Sequence, residues 1–296
     1  MPQLSWIFLS ILAAFIWSVV SILDKYIISK LVDRPIVPVI IMGTIGLFSS
    51  AAIFFILGFE PLSTANILLA IIAGIFYVLT VFLYFHAAKI EEISKVVPLF
   101  YLTPLFILII AALFLGEIFT PIKYLGIVLL VIGAILVSSS KLSFNFGKAF
   151  WLMVFASVVL AVNQVITKYL LGFADFWTIF GYMRIGAFVA LIPSIVINIE
   201  SFKSIYKEKG LKPFGFITAS ESLTLLALLS ITLAAVTGFI TLVNALSSVQ
   251  SFFVLLLTVV ISIFYPQILK EEIQRSTVII KVIAIAIMFT GVILVS

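Results

Sequence analysis

Residues 21–28 read SILDKYII, and residues 164–171 read QVITKYLL. The two stretches align with Lys25-Tyr26 over Lys168-Tyr169, and each closes a long apolar run. GAILVS (133–138) returns as GVILVS (291–296), and FLGE (114–117) has a parallel in ILKE (268–271). The chain therefore reads as two related halves. A helix that crosses a bilayer needs about 20 mostly apolar residues. By that rule the first half holds spans at 4–28, 36–58, 66–88, 93–115 and 122–140, and the second at 149–171, 176–198, 213–235, 238–265 and 277–295. Their backbones must be helical, because lipid leaves open strands without hydrogen-bond partners. Breakers stand at the junctions: DRP (33–35), FEP (59–61), GEIFTP (116–121) and SSSKLSFNFGK (138–148). The only long polar loop is read at 200–213, ESFKSIYKEKGLKP.

Five spans are an odd number, so the second half enters the membrane from the opposite side. The expected fold is an all-α polytopic membrane protein with ten transmembrane helices in two inverted five-helix repeats. Residues 1–140 form the first repeat, 141–148 a linker and 149–296 the second repeat, together one compact membrane domain. Inverted repeats of this kind build many secondary transporters, with a central site near the midplane.

Composition supports the membrane reading. The 296 residues are 64% hydrophobic and 10% charged, and the mean hydropathy is +1.39. Soluble domains carry about 25% charged residues. The first apolar run is too long for a cleaved signal peptide and lacks a basic lead, so it reads as a true span. The absence of cysteine excludes disulfides and thiolate chemistry. The formal charge of +5 does not point to nucleic acid, because the basic residues sit between apolar runs and set orientation instead. Of the 17 Lys and Arg, only Lys123 and Lys168 fall on the face of the even-numbered loops, and Arg184 lies inside a span. The remaining basic residues lie on the other face, which the charge rule puts in the cytoplasm with both termini outside.

The passage PLFYLTPLFILIIAALFLGEIFTPIKYLGIVLLVIGAILVS (98–138) resembles the fourth and fifth helices of EamA-type members of the drug/metabolite transporter superfamily. NALSSVQSFFVLLL (244–257) resembles the matching ninth helix, and YMRIGAFVALIPSI (182–195) the family's Arg-containing helix. The sequence departs from that pattern where Met42-Gly43 stands against Met183-Arg184, and where the ninth span runs on through YPQILKEE (265–272). The resemblance implies a multi-pass plasma-membrane exporter of small polar metabolites. It also implies cytoplasmic termini, against the charge count, and peripheral fifth and tenth helices.

Arg184 is the first candidate site residue. It stands eight residues into the seventh span, roughly 12 Å deep at 1.5 Å per residue. An arginine at that depth faces a cavity or a partner, and its planar fork suits a carboxylate or phosphate. The readings are substrate or gating contact, a structural ion pair, or snorkelling. Glu221 stands eight residues into the eighth span, counted from Pro213 and from the opposite face. Equal depths from the two faces of a core about 30 Å thick bring both groups near the midplane. Glu221 reads as a partner for Arg184, as a possible proton-coupling group, or as a contact for a substrate ammonium.

Asn163 and Gln164 in the sixth span read as helix–helix contacts or substrate contacts. The same two readings apply to Asn244, Ser247, Ser248, Gln250 and Ser251 in the ninth. Tyr101 lies between Pro98 and Pro104, whose kink would free backbone carbonyls beside it. Trp17, Tyr101 and Tyr182 are candidates to line a cavity, against a plain packing role. Trp6 and Trp151 read as interface anchors, and His86, beside Lys89, as an interfacial group. No HExxH, G-x-S-x-G, P-loop or Cys/His cluster is present, so neither an enzyme, a cofactor nor a metal site is expected. The expected partners are a small-molecule substrate and the lipid bilayer, with no nucleic acid, in a monomer or homodimer. Two other functions fit the same spans: a flippase for a phosphate-bearing lipid carrier, and a membrane scaffold without transport.

Overall fold

The computed structural model describes residues 2–32, 34–90, 96–138, 147–264 and 275–295, and among them it is helical with no strand. The helices are α1 (Pro2–Tyr26), ending in a π-helical turn at Ile27–Leu31, α2 (Ile36–Leu57) and α3 (Thr64–Ile90). A 3₁₀ turn at Val97–Leu102 leads into α4 (Thr103–Phe114), followed by α5 (Pro121–Ser138). The second half holds α6 (Lys148–Leu170), α7 (Phe176–Lys209), α8 (Lys212–Thr237), α9 (Ile240–Ser247), α10 (Gln250–Phe264) and α11 (Arg275–Val295). Among the described residues 7 helical segments are long and apolar enough to cross a membrane, with α9 and α10 counted together. Shorter apolar helices at Leu99–Phe114, Pro121–Gly133 and Ile283–Leu294 occupy the fourth, fifth and tenth predicted spans.

The halves interleave. α1 packs along α8, α2 along α7, α3 along α6 and α5 along α11, so each pair joins one half to the other. α3 also packs on α7, and glycine makes that contact possible. A Cβ at Gly74 would collide with the Met183 carbonyl, and one at Gly186 with the Ile71 backbone. Small residues likewise let backbones approach in other lipid-embedded helix pairs. Gly133 on α5 and Gly291 on α11 serve the fifth-and-tenth-helix pair in the same manner.

Three sequence expectations change. Residues 200–209 are helix rather than loop. The stretch has no Gly or Pro before Gly210, and Lys203 Nζ donates to Glu200 Oε1 at 2.8 Å one turn away. Ser204 Oγ adds a bond to Glu208 Oε1 at 2.9 Å, and Gly210, at φ +64°, ends the helix. Such i,i+3 and i,i+4 pairs support an exposed helix. Next, the ninth span is broken. Ser248 N and Val249 N bond to Ala245 O and Leu246 O, each at 3.1 Å, so the chain tightens into i→i−3 turns between α9 and α10. Trp6, read as an interface anchor, is instead buried in the core and lies against Gly238. Trp151 is exposed, and His86 Nδ1 lies 2.9 Å from Phe82 O. Most of the linker, the start of the fourth span and the continuation at 265–272 lie outside the described residues.

The turn between α8 and α9 is gripped by opposite charges. Lys168 Nζ donates to Ala235 O, and to Gly238 O at 3.0 Å, at the end of α8. Glu117 accepts from Ile240 N at 2.9 Å, Thr241 N at 3.2 Å and Thr241 Oγ1 at 2.7 Å, at the start of α9. A cation on a helix C-terminus and an anion on an N-terminus both match the helix dipole. Glu117 is buried, and its helix-capping role was missed at the sequence level. The only signal was its place after Gly116 in FLGE, opposite a helix start.

Candidate functional site

The depth of Arg184 is set by the cap of its helix. Asp175 Oδ1 accepts from Trp177 N at 2.7 Å and Thr178 N at 3.2 Å, and Oδ2 accepts from Thr178 Oγ1 at 2.6 Å. Glu60 Oε2 in turn accepts from Asp175 N at 2.7 Å, which ties the start of α7 to the end of α2. From that fixed start the helix carries Arg184 into the interior, where the residue is 4% exposed. Space for its stem comes from α2, since a Cβ at Gly46 would stand 2.9 Å from Arg184 Cδ. The guanidinium carbon lies 5.0 Å from the ring centre of Tyr77 and 4.7 Å from that of Phe180. These cation–π contacts suit a desolvated cation.

Arg184 Nη1 donates to Glu221 Oε1 at 3.4 Å. The pairing read from matched depths is therefore present. Glu221 Oε2 is buried and has no partner among the described residues.

A second carboxylate lies close by along α8. Asp24 on α1 is 7% exposed, and its Oδ1 accepts from Ser220 Oγ at 2.8 Å. Ser220 and Glu221 are successive residues, about 100° apart around the helix. One faces α1 and the other faces α7. Among the described residues no cation pairs with Asp24. Sequence reading passed over it because SILDKYII was taken for a helix end in which Lys25 and Tyr26 carried the repeat.

A cavity of about 210 Å³ adjoins Asp24. Trp17, Ser21 and Asp24 of α1 line it, with Tyr77, Thr80, Tyr84 and Phe85 of α3, and Phe100, Tyr101, Thr103 and Pro104 at the entry to α4. Thr224 and Leu228 of α8 and the helix break from Asn244 to Gln250 complete the wall. Gln250 Nε2 donates to Ser21 Oγ at 3.1 Å, joining the broken helix to α1. A smaller cleft of about 30 Å³ lies between α3, α6 and α7, with Arg184, Asn163 and Met183 at its edge. Tyr77 and Gln164 border both spaces.

The predicted site residues thus separate into groups. Trp17, Tyr101 and Asn244 line the larger cavity. Arg184 and Asn163 border the small cleft. Asn163 Nδ2 also donates to Ala73 O at 2.7 Å, tying α6 to α3. Asn244 donates to Ile240 O within its own helix at 3.0 Å. Tyr182 borders neither space and packs at a tilt on Phe54, with ring centres 5.2 Å apart.

An apolar helical bundle with an ion pair, a spare carboxylate and a cavity in its interior is a polytopic membrane protein built around a polar internal site. Residues 4–139 match the profile of the EamA-like transporter family. The resemblance seen in the sequence is borne out there. A solved crystal structure aligns over 99% of this chain and 96% of its own, with a TM-score of 0.72 and 17% identity. At that identity the likeness concerns the fold. The comparison with curated proteins returned no match.

Proposed function

We propose that this protein is a secondary transporter that exports small, amino-acid-like metabolites across the plasma membrane by alternating access. The observation that carries the reading is a cavity of about 210 Å³ in the bundle interior, walled by helices of both halves and by the break at Ser247–Gln250. Broken helices at the meeting of two repeats are a feature of transporter sites. The helix pairing supports ten spans in two inverted repeats: exchanging α1 with α6 and α3 with α8 turns the α1–α8 pair into the α6–α3 pair. In this reading the basic loops face the cytoplasm, and the protein works as a monomer or homodimer.

The size of the cavity favours a small cargo. At about 210 Å³ it lies below the roughly 300–1,000 Å³ of ordinary small-molecule pockets, which is small for a lipid carrier. The scaffold reading expects a packed ion pair with no cavity beside it, whereas Tyr77 touches both the Arg184 cleft and the larger cavity. Glu221, with one oxygen unpartnered, is the group we assign to proton coupling. The test is uptake and efflux in proteoliposomes with a metabolite panel, with and without a pH gradient. Saturable flux of a small metabolite is the expected result, and a silent panel in both directions would overturn the proposal. Glu221→Gln is expected to remove dependence on the gradient, and unchanged dependence would end the coupling assignment.

A further inference from the structure

The charges around the cavity do not balance, and the imbalance specifies a ligand. Arg184 is taken up by Glu221 and by the rings of Tyr77 and Phe180. Asp24 has a single partner, the neutral hydroxyl of Ser220, among the described residues. It is more than nine-tenths buried and lines the larger cavity. A carboxylate held away from water needs a cation or good hydrogen-bond donors, and one hydroxyl does not meet that need. The wall around Asp24 is rich in rings, including Trp17, Tyr84 and Phe100. Faces of such rings attract organic cations. Thr103 Oγ1 and Ser248 Oγ, at the same wall, are buried without hydrogen-bond partners among the described residues.

We propose that the larger cavity binds a small molecule carrying a protonated amino group, with the ammonium on Asp24 and the apolar body among the aromatic residues. The inference rests on the transporter reading and narrows its substrate class to amines and amino acids. Glu221 and Arg184 are each other's counter-ions, so neither offers the cargo a free charge and its choice is left to Asp24. Metabolites with the same skeleton but no amino group are discriminated against.

The experiment is isothermal titration of the full-length protein in nanodiscs with four molecules on one skeleton: 2-phenylethylamine, phenylalanine, 2-phenylethanol and phenylacetate. The wild-type protein is expected to bind the amine at least about tenfold more tightly than the alcohol, the scale of one charged hydrogen bond. Asp24→Asn is expected to lose that preference and keep the alcohol affinity. The asparagine oxygen can still accept from Ser220, so the variant should fold, and the wild-type comparison of amine with alcohol needs no variant. Phenylalanine against phenylethylamine tells whether the site tolerates the added carboxylate. Equal affinity for amine and alcohol, tighter binding of phenylacetate, or an amine affinity unchanged in Asp24→Asn would each overturn the proposal. Proteoliposome flux keeps the two failures apart. Flux of a metabolite with an Asp24-independent affinity ends only this inference. Asp24-dependent amine binding with no flux of any compound ends the transporter reading instead.

Discussion

Asp24 and Glu221 are both buried carboxylates, and both meet α8, one as its neighbour and one as its member. Their circumstances are opposite. Among the described residues Glu221 has a guanidinium at 3.4 Å and no hydroxyl, while Asp24 has a hydroxyl at 2.8 Å and no cation. Glu221 lies among packed helices, whereas Asp24 lines a cavity. The difference teaches how one interior can use the same chemical group twice. A carboxylate closed off with its counter-ion holds helices in register. A carboxylate left with an incomplete set of partners beside open space is a place for a ligand to complete. Mutations can pull the two roles apart.

The largest effect is expected at the closed pair. Arg184→Met leaves Glu221 charged and buried without a cation, a loss of about 3–5 kcal/mol. Thermal unfolding in detergent should show a sharply lower midpoint. Adding Glu221→Leu to that variant should restore most of the stability, because replacing both partners by apolar groups is often neutral. A stable single variant would mean that Glu221 is not held by Arg184, and the contrast with Asp24 would collapse.

Next comes the backbone contact that positions the pair. Gly74→Val puts a branched side chain against the Met183 carbonyl, beside Arg184 in sequence. Backbone cannot yield as a side chain tip does, so overpacking should cost about 1–3 kcal/mol. Gly46→Ala, where the obstacle is the flexible Arg184 stem, should cost less. Equal unfolding midpoints for the two would show that the α3–α7 contact is not fixed as described. A third carboxylate calibrates the scale: Glu117 caps α9 through two backbone N–H groups and the Thr241 hydroxyl, and Glu117→Ala should cost about 0.5–2 kcal/mol, as lost helix caps do.

Much of this was legible before the structure. The apolar runs found the helices, and counting eight residues from opposite faces paired Arg184 with Glu221. Counting works for such a pair because rise per residue and bilayer thickness are fixed physical lengths. It fails where side-chain direction decides. Tyr182 and Tyr101 are both cavity candidates by sequence, yet one packs on Phe54 and the other lines the cavity. Asp24 was hidden by its neighbours, since an acid beside Lys25 near a helix end looks solvated. Only the packing of α1 along α8 reveals that it faces Ser220 in the interior. The helix at 200–209 was misread because polarity was taken for a loop, although helices persist through polar sequence when i,i+4 partners exist and no breaker intervenes.

The smallest effect on stability, and the one that decides the comparison, is expected from Asp24→Asn. If Asp24 were a structural group, losing its charge should destabilise the protein. If it is an unfilled ligand site, the opposite sign follows. The amide keeps the Ser220 hydrogen bond and removes a charge that no cation among the described residues balances. The unfolding midpoint should then stay the same or rise, by up to about 1 kcal/mol in stability, within the range of substitutions that relieve a strained functional site. Amine affinity should fall at the same time. A midpoint that drops as far as that of Arg184→Met would make Asp24 a second structural carboxylate. A midpoint that holds while amine binding fails would show that α1 keeps a charge in the protein interior for the cargo and against its own stability.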